Sequence, residues 1–257
     1  AAADTGLEAG LPIVSGPFDV PASGIGCGSA TTGGTAVTLG TSLTHQVFVD
    51  GPHSTRAGIQ MHLGIDGLWT YAIGSNAGTP SLDWATETLA EVDDVAGLEA
   101  LAADVPPGSD GVLYHPYLST TGERGPFVDP DARGQFVGLT PEHEPATLAR
   151  AVYEGLSLAV RDCLDHLPRA ASRVALSGGG TRSDLWPQLI ADCLDRPVVV
   201  PAGTELGAKG AAAVLGVALG VFSSLDAAVD QMASVERRYT PRADVVPTYD
   251  ALYDLYV

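Results

Sequence analysis

Val-Ala-Leu-Ser-Gly-Gly-Gly-Thr-Arg-Ser-Asp-Leu-Trp-Pro-Gln-Leu-Ile-Ala-Asp-Cys-Leu-Asp, residues 174–195, is the stretch whose reading decides the fold. Its apolar opening, 174–176, suits a buried strand. Ser177 leads into Gly178, Gly179 and Gly180, which carry no Cβ, so the backbone is free to take positive φ and a flat or anionic group can approach it closely. Ser183 and Asp184 are good N-caps. Leu185, Leu189 and Cys193 then recur every four residues, the stripe of a helix lying on a core. A strand, a glycine loop and a helix N-terminus together form a geometry that binds phosphates, because free N–H groups and the helix dipole converge there. The run is neither a P-loop nor G-x-G-x-x-G, and by itself a plain tight turn explains it equally well.

The rest of the 257-residue chain narrows the choice. Hydrophobic residues make up 45% and charged residues 17%, a globular and not a disordered balance. Net charge is −18, with 31 acidic against 13 basic residues, which argues against a nucleic-acid partner. No apolar run is long enough for a membrane span. The first residues lack a basic region followed by an apolar core, so no signal peptide is expected. Cys27, Cys163 and Cys193 are widely spaced in apolar contexts and read as buried thiols of a reducing compartment, the cytoplasm. The six histidines show no ligand spacing, and His45, His53 and His62 are expected at the surface.

In order, residues 1–10 read as the end of a helix, which suggests a piece of a longer chain. Residues 11–14 read as a strand that delivers Asp19 at its end, and 21–30 as a short helix. Strands follow at 35–39 and 43–49, joined by Gly40-Thr41-Ser42, with a third at 68–73. The small-residue loop 74–79 precedes a helix over 81–89. Residues 91–143 are irregular, with one helical patch at 95–102. A helix over 144–167 is the clearest of all. Beyond the opening stretch lie a strand at 198–200, a helix over 205–219 with close-packing Gly207 and Gly210, and a terminal helix carrying Tyr249, Tyr253 and Tyr256. Three meandering strands, a helix, an insertion and then alternating strands and helices are the order of a ribonuclease-H-like α/β domain, with a mixed sheet and helices on both faces.

Four stretches also resemble one family, the FGGY carbohydrate kinases, in their C-terminal half. They are Ser15-Gly16-Pro17-Phe18-Asp19, Leu39-Gly40-Thr41-Ser42, the insertion with Gly122-Glu123-Arg124 and Asp129 to Gly134, and Ser177-Gly178-Gly179-Gly180 followed by Glu205-Leu206-Gly207-Ala208. The resemblance implies an actin-like ATPase fold with ATP in a cleft between two such domains. It divides the chain into 1–30, the end of the N-terminal kinase domain and the crossover, and 31–257, the nucleotide-binding domain. The N-terminal domain of the same protein, with its own Asp-x-Gly-Thr motif, would be a partner, and a homodimer is a further expectation. These residues alone would then not be a competent kinase.

The chemistry implied is phosphoryl transfer from ATP to a hydroxyl of a ketose or polyol, as in a xylulokinase. Asp19 is the expected base. Gly40, Thr41 and Ser42 would hold phosphates, with Gly78 as a weaker contact. Gly178, Gly179 and Gly180 would receive the adenosine, and Ser183 or Asp184 would either reach its base or ribose or simply cap the helix. The hairpin tip and the glycine bend are expected to face one shared crevice. Mg²⁺ would arrive with ATP and needs no dedicated cluster. Phe18 and the loop near Asn76 are expected toward the sugar, and Glu123 and Arg124 are either a structural ion pair, the favoured reading, or substrate-side contacts. The rival readings are an actin-like nucleotide-binding regulator, which would not need Asp19, and a non-catalytic interaction domain.

Overall fold

A computed structural model describes residues 2–55, 57–90, 92–168 and 172–257. Ala1 and Glu91, the first residues of the expected terminal helix and of the irregular segment, lie outside the described residues. The elements in order are α1 (Ala2–Thr5), α2 (Asp19–Gly26), β1 (Thr35–Leu39), β2 (Leu43–Val49), β3 (Ile59–His62), β4 (Trp69–Ser75), α3 (Pro80–Trp84), α4 (Val95–Ala103), β5 (Leu113–His115), β6 (Gln135–Val137), α5 (Pro145–Asp165), β7 (Val174–Ser177), α6 (Leu185–Leu194), β8 (Val198–Pro201), α7 (Leu206–Ala218), α8 (Leu225–Met232), β9 (Val235–Tyr239) and α9 (Val246–Tyr256).

Seven strands form one mixed sheet in the order β3-β4-β2-β1-β7-β8-β9. The β1, β2 and β4 meander is antiparallel, whereas β1 pairs with β7 and β7 with β8 in parallel. Within that order lies the ribonuclease-H-like arrangement, extended by one antiparallel strand at each edge. β5 and β6 pair separately within the insertion.

The strand period of two sorts the helices onto two faces. Val37, Leu39, Val174, Leu176, Val198 and Val200 point into the larger core with α5, α6 and α9. Ala36, Ala175 and Val199 point the other way, toward Cys27 and Leu206. The small residues on that second face let α2 and α7 lie close. A Cβ on Gly210 would overlap the Ala22 carbonyl, and one on Gly26 would overlap the Leu206 carbonyl. The glycine therefore weakens α7 as a helix but permits the crossing that fixes α2.

Several sequence expectations need correction. Residues 11–14 form no strand, and Asp19 is instead the first residue of α2. The third meander strand runs two residues further, to Ser75, and gains an edge partner, β3. The helix expected over 81–89 is α3 continued by a π-turn, Ala85–Ala90. His45 is fully buried, unlike the exposed His53 and His62, with Nδ1 3.2 Å from the Ile73 carbonyl oxygen and Nε2 without a partner. The β-branched residues around it favour a central strand, and that packing overrides its polarity. The three cysteines are buried and free.

Burial pushes the His45 pKa down to about 4 from 6.5. The unfolded chain then binds the proton more readily, so stability is intact above pH 6.5 and falls as pH drops toward 4. In urea denaturation at pH 7 and pH 5, the loss of stability on acidification is expected to be smaller in His45→Gln, by up to about 1.4 kcal/mol per pH unit. An unchanged pH dependence would remove His45 from the account. Gly210→Val is expected to destabilise by about 3 kcal/mol, because backbone must move to admit the side chain.

Candidate active site

β1 and β7 are parallel neighbours, so the loops that follow them leave the same sheet edge. Thr35 to Thr38 stand opposite Val174 to Ser177, and the Thr38 and Ser177 hydroxyls are 3.0 Å apart. Beyond β1 the chain turns through Gly40-Thr41-Ser42 into β2, and beyond β7 it turns through Gly178-Gly179-Gly180. The two turns are held by backbone packing. Gly178 has φ +88 and a Cβ there would meet the Leu39 carbonyl at 2.5 Å, while one on Gly180 would strike Leu39 and the buried Trp186 ring. Gly179 alone of the three has nothing within 4 Å of its Cβ position, so it presents open backbone.

The hairpin tip leans on the loop after β4. A Cβ on Gly78 would meet the carbonyl oxygens of Gly40 and Thr41 at 2.5 Å, and the Gly40 carbonyl accepts the Thr79 N–H at 2.9 Å. Gly78 is thus needed for the hairpin to seat. Glu123, 2% exposed, fixes the same loop from the insertion. One carboxylate oxygen accepts the N–H groups of Asn76 (2.8 Å), Arg124 (2.7 Å) and Gly125 (3.2 Å), and the other accepts the Ser75 hydroxyl at 3.1 Å. The expected Glu123–Arg124 ion pair does not form: the glutamate is a backbone clamp, and the Arg124 guanidinium lies over Gly74. Asn76 is likewise engaged, donating from Nδ2 to the Gly122 carbonyl at 2.8 Å.

A cleft of about 330 Å³ opens between the glycine turn and the α3–α4 region, lined by Thr79, Leu82, Val95, Ala96, Gly179, Gly180, Arg182 and Ser183 among others. Its size suits a small-molecule site, for which roughly 300–1,000 Å³ is usual. Thr41 and Ser42 line a neighbouring cavity with Asn76, Gly78 and Ser119. The two turns are neighbours along one edge, and the segment from Gly78 to Asp83 contributes to the lining of both cavities.

The start of α6 is not the open anion site its sequence suggests. Glu99 on α4 accepts the N–H groups of Asp184 (3.0 Å) and Leu185 (2.9 Å) with one oxygen. The Ser183 hydroxyl accepts the Trp186 N–H at 2.8 Å. Asp184 pairs with Arg237 at 2.9 Å and accepts the Tyr239 hydroxyl at 3.1 Å. The first-turn donors of α6 are spent on a carboxylate of the same chain, 85 residues away, which spacing within the motif gives no means of finding.

Asp19 is exposed at the start of α2, its Oδ1 accepting the Val20 N–H at 2.9 Å. A further cavity of about 670 Å³ runs beside it, lined by its neighbours Phe18 and Val20, by Thr44 just beyond the hairpin tip, and by Ile59, Gly74, Arg124, Phe127 and Val128. Arg124 is thus placed where the substrate-side alternative to an ion pair would have it, whereas Thr44 lies within a plain strand pattern and has no signal in the sequence.

Residues 34–219 match the model of the FGGY family of carbohydrate kinases, C-terminal domain. The chain belongs to that family. It is 33% identical over 271 residues to a gluconokinase of Bacillus subtilis, with 98% of this chain and 52% of the relative covered. It is 30% identical to a xylulose kinase of the same species, covering 99% of this chain and 52% of that one. A solved xylulose kinase from Rhodospirillum rubrum superposes with a TM-score of 0.88 at 33% identity, covering all of this chain and 52% of that structure. The chain spans about half the length of the relatives it matches.

Glu99→Ala is expected to lower stability in urea denaturation by about 1 kcal/mol, because two N–H groups, one exposed and one half-buried, lose a charged acceptor at the helix start. A loss below 0.5 kcal/mol, taken as roughly the scatter of ordinary surface changes, would mean that water replaces the cap.

Proposed function

We propose that this chain is the nucleotide-binding half of an ATP-dependent kinase that phosphorylates a hydroxyl of a sugar or polyol. The observation that carries the reading is the pair of glycine-walled turns leaving adjacent parallel strands, with an open Gly179 backbone on one and the Thr41 and Ser42 hydroxyls on the other. The relatives named gluconokinase, xylulose kinase and erythritol kinase mark the acceptors as small polyhydroxy compounds. Residues 1–30 are read as the crossover from the preceding domain, which would close the cleft.

The fit to ATP rests on the geometry. The cleft beside Gly179 has apolar walls, Leu82, Val95 and Ala96, that suit a purine face, with Ser183 and Arg182 at its rim. Gly178 and Gly180 hold the turn so that Gly179 can lie against the nucleoside. Gly40, Thr41 and Ser42 supply N–H and O–H donors for the phosphates, and Gly78 keeps their turn in place. Mg²⁺ would come bound to the phosphates and neutralise charge there.

Asp19 acts as base. As the sugar oxygen bonds to the γ-phosphorus, the bond from that phosphorus to the bridging oxygen breaks and ADP leaves. The hydroxyl proton passes to the Asp19 carboxylate. The α2–α7 crossing positions that carboxylate next to the cavity that Phe18 and Val20 line. The Asp19 carboxylate favours a kinase over a nucleotide-binding regulator.

Two measurements test the reading. ADP titrated onto this chain is expected to bind and to change the fluorescence of Trp186, which lies directly under Gly180. No binding at millimolar ADP would leave only an interaction module. In the full-length polypeptide, Asp19→Asn is expected to cut sugar phosphorylation at least about a hundredfold with ADP affinity retained, as loss of a general base does. Turnover near the parent rate would displace Asp19 from the role.

A further inference from the structure

The cleft beside Gly179 is lined by a carboxylate with one oxygen to spare. Glu99 enters it from α4 and is half-buried there. Its Oε1 accepts the N–H groups of Asp184 at 3.0 Å and Leu185 at 2.9 Å. Its Oε2 has no hydrogen-bond or ion-pair partner among the described residues. Phosphoryl transfer gives that oxygen no task.

Its position is built. Leu98 and Ala102, fully buried, seat α4 on the core, and the Asp94 side chain caps the helix by accepting the Gly97 N–H at 2.9 Å. Val95, Ala96 and Glu99 stand about one helical turn apart and all line the cleft. The two bonds to α6 then fix the carboxylate. The cleft also has a direction. Thr79 lies next to the hairpin tip, since its N–H bonds the Gly40 carbonyl at 2.9 Å. Glu99 is tied to the start of α6, beyond the glycine turn. A nucleotide with its phosphates at Gly40-Thr41-Ser42 and its purine against Leu82, Val95 and Ala96 would turn the base edge toward Glu99. Asp83 and Arg182 line the same cleft, but both are exposed, and neither side chain is anchored by a hydrogen bond among the described residues.

We propose that Glu99 is a specificity-determining residue for the nucleotide: its free oxygen accepts an N–H of the adenine amino group, so that the site prefers adenine to the 6-oxo purines hypoxanthine and guanine. The inference rests on the kinase reading above and deepens it. Adenine carries an amino donor at C6. Hypoxanthine and guanine carry a carbonyl oxygen there, which would set lone pairs against the carboxylate. A carboxylate can also read guanine through N1–H and the 2-amino group, but that contact takes both oxygens, and Oε1 is already spent on two backbone donors. A hydrogen bond to a charged acceptor is stronger than a neutral one, and a base that lacks the donor leaves the acceptor unpaired.

The test titrates ADP, IDP and GDP calorimetrically onto this chain. ADP is expected to bind at least about tenfold more tightly than IDP or GDP, the size of one hydrogen bond to a charged group. Glu99→Gln keeps a carbonyl oxygen for the two α6 donors and replaces the free oxygen by an amide donor. Its ADP-to-IDP affinity ratio is expected to fall by about ten- to a hundredfold, through weaker ADP and tighter IDP binding. A residue that only capped α6 would weaken all three nucleotides together and leave the ratio alone. Asp83→Asn, on the same cleft, is expected to leave the ratio unchanged. Should Glu99→Gln not fold, the preference of the parent protein still decides. Equal affinity of the parent for ADP and IDP, a ratio unmoved in folded Glu99→Gln, or an equal shift in Asp83→Asn overturns this inference alone. Binding of none of the three nucleotides overturns it together with the kinase reading.

Discussion

The pairing of β1 with β7 is the constraint on which the rest depends. Because the two strands run parallel and adjacent, the chain must leave both at one edge of the sheet. Two turns separated by more than 130 residues in sequence become neighbours there. The contact is intolerant of side chains: Gly178 packs on the Leu39 carbonyl and Gly180 packs on Leu39 and Trp186. Their absent side chains bring the turns together, and this leaves Gly179 as the backbone offered to solvent.

Carboxylates supply the second layer of order. The net charge of −18 suggests a solvated acidic surface, yet several acids work inside the molecule. Glu99 terminates α6, and Glu123 gathers the loop after β4 against the insertion. Asp192, fully buried, holds Arg242 and ties the segment before α9 to α6. Glu154 bonds Arg150, Tyr249 and Ser109, joining α5 to α9 and the segment before β5. Each accepts backbone or charged donors, and such bonds exceed neutral ones in strength.

The α2–α7 crossing links this scaffold to chemistry. Small residues on both helices and on the underlying face of the sheet set α2 close to the core, so its first residue, Asp19, is held at a fixed height beside the hairpin. The cavity running from Phe18 to Arg124 follows from that placement. A bulkier α7 would lift α2 and widen the space between Asp19 and the β1–β2 hairpin.

Sequence by itself determined the elements with strong local signals. The β-branched strands at β1 and β2, the triple glycine and the three-and-four spacing in α5 each impose a local conformation, and their order specifies a ribonuclease-H-like sheet. The edge strands β3 and β9 were illegible, since Ile-Gln-Met-His and Val-Glu-Arg-Arg-Tyr are largely exposed and carry no buried alternation. Tertiary structure alone decided which polar groups face which. The burial of His45, the capping of α6 by Glu99 and the turning of Arg124 onto Gly74 all depend on residues far apart in the chain. No local spacing encodes such contacts, because hydrogen bonding and burial are settled by the neighbours that folding brings in.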